Sequence, residues 1–298
     1  MAGVCLKAIS VTVEHDFKND WEVYVSEIDH EIHTFLIDPG MSTVENSVQR
    51  HFMHKIAVIH PSSDGTLFAA RITTNWIANR LLQIGLQYSP QRIFAIYKHL
   101  TNQPTLPIAG DWLFKAYGHY WFRSGGEFNA DKLPVTPKNE GTLIFQLDRY
   151  KSSMLNFFTN PRSLAMQIRS QHGRGMNPEV IGKYYLPYGY NHSSCDGLVF
   201  ISLNTVALLQ ITIAESYEVK VKGINDLCEY LPPEITNIHI VFVIPAERTQ
   251  QYWKLQEVPQ VTDITKASQV ISIKQFRLIM TDDHIRSVSL PPGSTNHL

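Results

Sequence analysis

From Cys195 to Ala214 the chain alternates little and buries much. Two apolar runs rich in β-branched residues, Gly197–Ser202 and Val206–Ile213, flank Leu203-Asn204-Thr205, a pattern that predicts a β-hairpin. The strongly polar side chains inside or beside these runs are Asp196, Gln210 and Thr212. Strand side chains alternate faces, so Gln210 and Thr212 share one. Centring the hairpin on Asn204 sets Asp196 opposite Thr212 and diagonal to Gln210, and a slip of one residue sends Asp196 to the other face.

Downstream, Ile224, Leu227, Cys228 and Leu231 recur at i, i+3, i+4 and i+7, one apolar stripe of a helix that must stop at Pro232-Pro233. Asn237–Pro245 then reads as a fully buried strand. Upstream, apolar and polar residues alternate through Val4–Val13 and Trp21–Ile28, which predicts strands, before a helical segment Thr43–Val58 capped near Ser42. Ile72, Trp76, Ile77, Leu81, Leu82 and Ile84 have amphipathic helical spacing, and a second helix runs Pro90–Leu100 with proline in its first turn. The two prolines of Asn102–Pro107 mark a linker ahead of a helix that opens at Ala109. The organisation expected is a mixed β-then-helical segment over residues 1–104, an α/β domain over 105–280, and a tail over 281–298 that ends in a frayed Leu290–Leu298.

Composition changes this picture in two ways. With 298 residues, 44 % of them apolar and 11 % aromatic, the chain can pack one large or two ordinary domains. Its formal charge of −1 excludes the whole-protein basic footprint of non-specific nucleic-acid binders. A local one remains: Arg149, Lys151, Arg162, Arg169, Arg174 and Lys183 stand against Glu179, with Tyr150, Phe157, Phe158 and His172 among them. Basic residues with aromatics suit phosphate contact and base stacking, and equally a solvated basic loop. We take Arg162, Arg169, Arg174 and Lys183 as candidate nucleic-acid contacts.

Cys5, Cys195 and Cys228 are odd in number and unclustered, which argues against a disulfide framework or a zinc site. The 13 histidines, His51, His54 and His60 included, show no metal-ligand spacing. No apolar run is long enough for a signal peptide core or a membrane span, so folding in a reducing intracellular compartment is the expectation. No phosphate-loop motif occurs, which argues against nucleotide hydrolysis.

A carboxylate beside a neutral oxygen donor on a rigid hairpin is the minimum equipment for a Mg²⁺ that also touches phosphate. The competing reading has Asp196 capping a turn before Gly197, with Gln210 and Thr212 satisfied by neighbouring backbone.

The run Asp196-Gly197-Leu198, Leu209-Gln210-Ile211-Thr212, Val219–Gly223 and Val241–Pro245 resembles the C-terminal domain of Crinkler and retrotransposon-hot-spot proteins, a branch of the restriction-endonuclease superfamily. Ala109-Gly110-Asp111 through His119, then Gly125-Gly126-Glu127-Phe128, is similar to the opening helix of that domain. The resemblance covers roughly residues 70–250 and implies a restriction-endonuclease-like mixed sheet flanked by helices. It further implies a metal-dependent nuclease, with Asp196 and Gln210 at the Mg²⁺ and Gln210 orienting bound water. DNA, RNA or a host protein would be its partner, in an intracellular, nuclear or exported-effector setting.

The chain departs from that pattern. Thr212 replaces the lysine of the second motif, and Lys115 stands where related domains often place a glutamate. Asp111, one turn earlier, and Lys220 or Lys222, ahead of the next helix, are the substitutes within reach. Two functions therefore stand side by side: a Mg²⁺-dependent nuclease, and an inactive nuclease fold kept as a nucleic-acid or protein binding module. A purely structural protein is the third.

Overall fold

The computed structural model describes residues 14–37, 57–61, 68–72, 75–102, 107–135, 141–149, 156–170, 175–188, 195–216, 219–256, 265–266 and 269–288. The chain forms two compact units, Met1–Ala109 and Gly110–Leu298.

In the first unit the described elements are helix α1 (Glu14–Ile37), an antiparallel pair β1 (Ala57–Pro61) and β2 (Phe68–Ile72), and helices α2 (Asn75–Tyr88) and α3 (Pro90–Asn102). The strand expected at Trp21–Ile28 is helical. Ile28, Ile32 and Leu36 are fully buried at four-residue spacing while Val23 is 59 % exposed, so the burial follows a helical and not a two-residue period. Arg80 on α2 donates from Nε to Asp29 on α1 at 2.6 Å, and Gly85 lets α3 close in, because a Cβ there would meet Ile93 at 2.6 Å. Ile72 belongs to β2 and not to the following helix; Val4–Val13 and most of Thr43–Val58 lie outside the described residues, although Ala57 and Val58 are strand. Helix α3 begins at Pro90 as expected.

The second unit is built on an eight-stranded mixed sheet, in the order β4 (Thr142–Leu147), β3 (Gly126–Lys132), β12 (Ser272–Met280), β9 (Asn237–Pro245), β8 (Thr205–Ile211), β7 (Gly197–Ser202), β6 (Tyr184–Pro187), β5 (Asn156–Phe158). The central strands β8, β9 and β12 run parallel, and β7 returns antiparallel to β8. Helix α4 (Pro107–Arg123) packs on one face, through Gly118 against Ile211 and Phe122 against Phe128 and Tyr184. On the other face α5 (Pro161–Ile168) and α6 (Val221–Tyr230) bury Leu164, Ile168, Ile224 and Leu227 in one cluster with Leu198, Phe200, Leu208, Ile240 and Phe242. Covered on both sides, all seven residues of β8 are buried. The unit is therefore mixed α/β, a helix-flanked mixed sheet. Hairpin, helix and buried strand follow in the expected order, α6 ends before Pro232, and β9 has the expected bounds.

Two short pieces complete the unit, the pair β10 (Thr265–Lys266) and β11 (Gln269–Val270) and helix α7 (Asp282–Ser287). Thr281 and His284 form a capping box at α7, Ile285 is buried, and the His284 ring stacks on Trp121 at 4.6 Å. Ordered structure thus continues past residue 280; Leu290–Leu298 lies outside the described residues. The basic stretch is not an open loop either: it contains β5 and α5, the latter started by a capping box between Asn160 and Ser163.

Candidate functional site

The hairpin register is the first thing that decides the site. Its turn holds Leu203 and Asn204, Asn204 Oδ1 accepting from Ser202 and Thr205 hydroxyls at 2.7 and 2.9 Å, and a bulge sits between Phe200 and Ser202. Each of these moves the pairing by one residue relative to a hairpin centred on Asn204. Either alone would put Asp196 on the wrong face; together they restore it, one step along, so that Gly197 pairs with Leu209 and Asp196 comes against Gln210. The expected pairing of Asp196 with Thr212 is replaced by this one. The Thr212 hydroxyl instead accepts the Ala214 N–H at 3.0 Å, closing a local turn, while its own N–H goes to the Val243 carbonyl.

Asp196 lies where β7 starts and β8 ends, at the carboxyl end of the parallel strands, the end at which open α/β sheets hold their ligands. Gly197 follows because Tyr184 covers that position: a Cβ would meet the phenol ring at 2.6 Å. On the opposing face of α4, Asp111, Lys115, Gly118 and Phe122 succeed one another at helical spacing, and Gly118 allows the close approach to Ile211. The approach carries Asp111 and Lys115 to Asp196.

The contacts there are closed. Lys115 Nζ lies 3.2 Å from Asp196 Oδ1 and 3.5 Å from Asp111 Oδ2. Asp196 Oδ2 accepts from the Ile211 N–H and from Gln210 Nε2, both at 2.8 Å, and Asp111 Oδ1 accepts the Ile213 N–H at 3.0 Å. All four carboxylate oxygens are thus engaged by donors of the chain itself. Burial pushes the Asp196 carboxyl above its ordinary range; the Lys115 ammonium and the Ile211 N–H pull against that, and Asp111 adds to it. One turn further along α4, His119 Nδ1 shares a 2.7 Å hydrogen bond with the Tyr184 hydroxyl. Burial first, and then the cations Lys115 and Arg123, hold His119 down to about 3, so it is neutral at physiological pH.

Mg²⁺ was expected at Asp196 and Gln210. A hard divalent cation wants several anionic or carbonyl oxygens with free lone pairs. Here the amide nitrogen of Gln210, not its oxygen, faces Asp196, and an ammonium stands between the two carboxylates. Among the described residues no group of three or more acidic, histidine or cysteine side chains could hold a metal. The residues present do not fit the ion.

Of the other residues singled out from sequence, Lys220 caps the start of α6 through its backbone and Lys222 lies in the first turn; both are exposed, and among the described residues neither forms an ion pair with Asp196. The cation at the carboxylates is Lys115, on a different element. Arg162 and Arg169 are exposed, within and just after α5 on the far side of the sheet; Lys183 is half-buried beside Tyr184; Arg174 lies outside the described residues. Sequence reasoning missed the backbone N–H groups of Ile211 and Ile213 and the Tyr184 ring. Gly197, a glycine opening a β-rich run, was the one available sign of the close approach. No described helix is long and apolar enough to cross a membrane. Comparison with known proteins found no family model, no curated protein and no solved structure that matches the chain.

Proposed function

We propose that the unit Gly110–Leu298 is a restriction-endonuclease-like domain that no longer cleaves and acts as a binding module, in the manner of a Crinkler-type effector that works by contact. The observation that carries this reading is the Lys115 ammonium between Asp196 and Asp111. It supplies, from within the chain, the positive charge that a nuclease obtains from its metal, and with the Ile211 and Ile213 N–H groups and the Gln210 amide it gives every oxygen of the two carboxylates a donor of the chain. The order of elements supports the ancestry: α4, strand β7 just after Asp196, strand β8 bearing Gln210 and ending just before Thr212, α6, then the buried parallel strand β9.

The test is a cleavage assay at fixed ionic strength on single- and double-stranded DNA and RNA with Mg²⁺, Mn²⁺ or EDTA, comparing wild type with Asp196→Ala. The expected result is no metal-dependent cleavage by folded wild type. Cleavage that needs the metal and is lost in Asp196→Ala would return the protein to the active nucleases.

A further inference from the structure

The polar line on the buried side of α4 does not end at the carboxylates. Asp111, Lys115, His119 and Arg123 follow at four-residue intervals, and the last of them is unexplained by the corner just described. Arg123 is only 7 % exposed, its Nε has no hydrogen-bond partner, and among the described residues no carboxylate pairs with it; its neighbour is the face of the Tyr120 ring, 5.0 Å from the guanidinium carbon. Arg80, Arg248 and Arg277, all less buried, are each paired with a carboxylate. A buried cation without an anion is among the costliest features a fold can keep, and the favourable dipole at a helix C-terminus is too weak to offset it.

The surroundings gather more positive charge. Just beyond Arg123 the chain turns through Gly125 at φ 70, so tightly against the backbone of Arg149 that a Cβ would lie 2.6 Å from it. The N–H of the preceding Asp148 donates to the Gly182 carbonyl at 2.9 Å, and Lys183 follows directly, ahead of Tyr184, whose ring packs on Phe122 at 5.4 Å. The two ends of the basic stretch, Arg149 and Lys183, are thereby brought to the end of α4. Asp148 is the acid at this junction; it is exposed and, among the described residues, forms no ion pair with Arg123.

We propose that Arg123 is the floor of an anion site that takes a phosphate group, with Arg149 and Lys183 at its rim. A guanidinium matches phosphate oxygens through its planar fork of donors, and two further cations favour a doubly charged group over a carboxylate. The phosphate comes from a nucleic-acid backbone or from a small phosphate ester. The site is independent of the Lys115 corner and of the nuclease ancestry.

The experiment uses the full chain. Inorganic phosphate binding is measured by calorimetry at constant ionic strength, and a fluorescein-labelled oligothymidylate strand by anisotropy, for wild type, Arg123→Met, Arg123→Lys, Arg149→Gln/Lys183→Gln and Asp196→Asn. Arg123→Met is expected to weaken phosphate binding by at least about tenfold, Arg123→Lys by less, and Asp196→Asn not at all. Arg123→Met should also melt no lower than wild type, since an unpaired buried charge is replaced by an apolar chain of similar shape. Oligothymidylate binding that depends on Arg123 assigns the phosphate to a nucleic-acid backbone; phosphate binding alone assigns it to a small ester. Wild type that binds neither probe, or Arg123→Met that binds phosphate as wild type does, overturns the site. Either failure leaves the cleavage assay, and the inactive-corner reading it tests, untouched.

Discussion

Replacing Lys115 by methionine removes the ammonium from between two carboxylates while keeping the length of the side chain. At 3.2 and 3.5 Å, Coulomb attraction with an effective dielectric of about 20 amounts to roughly 5 kcal/mol for each contact. Most of that is cancelled by the cost of desolvating the groups, whose side chains keep 19–24 % of their exposure. A net loss of about 2–3 kcal/mol near neutral pH remains, or roughly 4–12 °C in melting temperature for a domain of this size. The loss depends on pH in a definite direction. The folded-state pKa of Asp196 is already above its unfolded value, so this group's contribution to stability falls as pH rises through that window. Without Lys115 its pKa rises further, and the gap between variant and wild type should be widest at neutral pH and close as pH falls toward the carboxylate range. Urea unfolding followed by circular dichroism at several pH values reads the gap. Adding Asp196→Asn to Lys115→Met should recover about 1–2 kcal/mol, because one of the two facing charges is gone. Added Mg²⁺ should raise the melting temperature of Lys115→Met and leave wild type unmoved. A variant within about 0.5 kcal/mol of wild type at neutral pH, or a gap that does not change with pH, would refute the claim that Lys115 balances the two carboxylates.

Three other perturbations test the framework around this corner. Gly197→Ala forces a methyl group into the Tyr184 ring and should cost about 1–3 kcal/mol in thermal unfolding, whereas Gly118→Ala, whose Cβ meets only the Ile211 side chain at 3.0 Å, should cost less. His119, held to about 3 in the folded state against 6.5 when unfolded, makes wild type lose up to about 1.4 kcal/mol per pH unit as pH falls below 6.5. His119→Gln should flatten that limb of the stability–pH curve, and identical slopes in both proteins would contradict the burial of a neutral imidazole. Asn160→Ala deletes the acceptor for the Ser163 N–H at the start of α5 and should lower stability by about 1 kcal/mol in urea unfolding.

What could be read along the chain was local. The hairpin strands, the α6 stripe at Ile224, Leu227, Cys228 and Leu231, and the buried run Asn237–Pro245 each carry their period or their unbroken apolar character within about ten residues, and each appears where expected. The same local reading failed at Trp21–Ile28. Over eight residues an alternating pattern and a helical one overlap, and only the continuation through the buried Ile32 and Leu36 separates them.

The residues of the candidate corner were equally visible: Asp196 and Gln210 as polar interruptions of apolar strands, Asp111 and Lys115 one turn apart on a helix. Their relation was not. A bulge at Phe200–Ser202 and a turn at Leu203-Asn204, tied by the Asn204 carbonyl to the N–H groups of Thr236 and Asn237, set the hairpin register through contacts with a strand some thirty residues away. The close packing of Gly118 on Ile211 then decided that the lysine of α4 falls between two carboxylates from different elements. Sequence determined which charges this protein carries and on which elements. Charges act through space and steeply with distance, so only the tertiary structure could decide that Lys115 is neutralised where a metal was expected and that Arg123 has no carboxylate partner among the described residues.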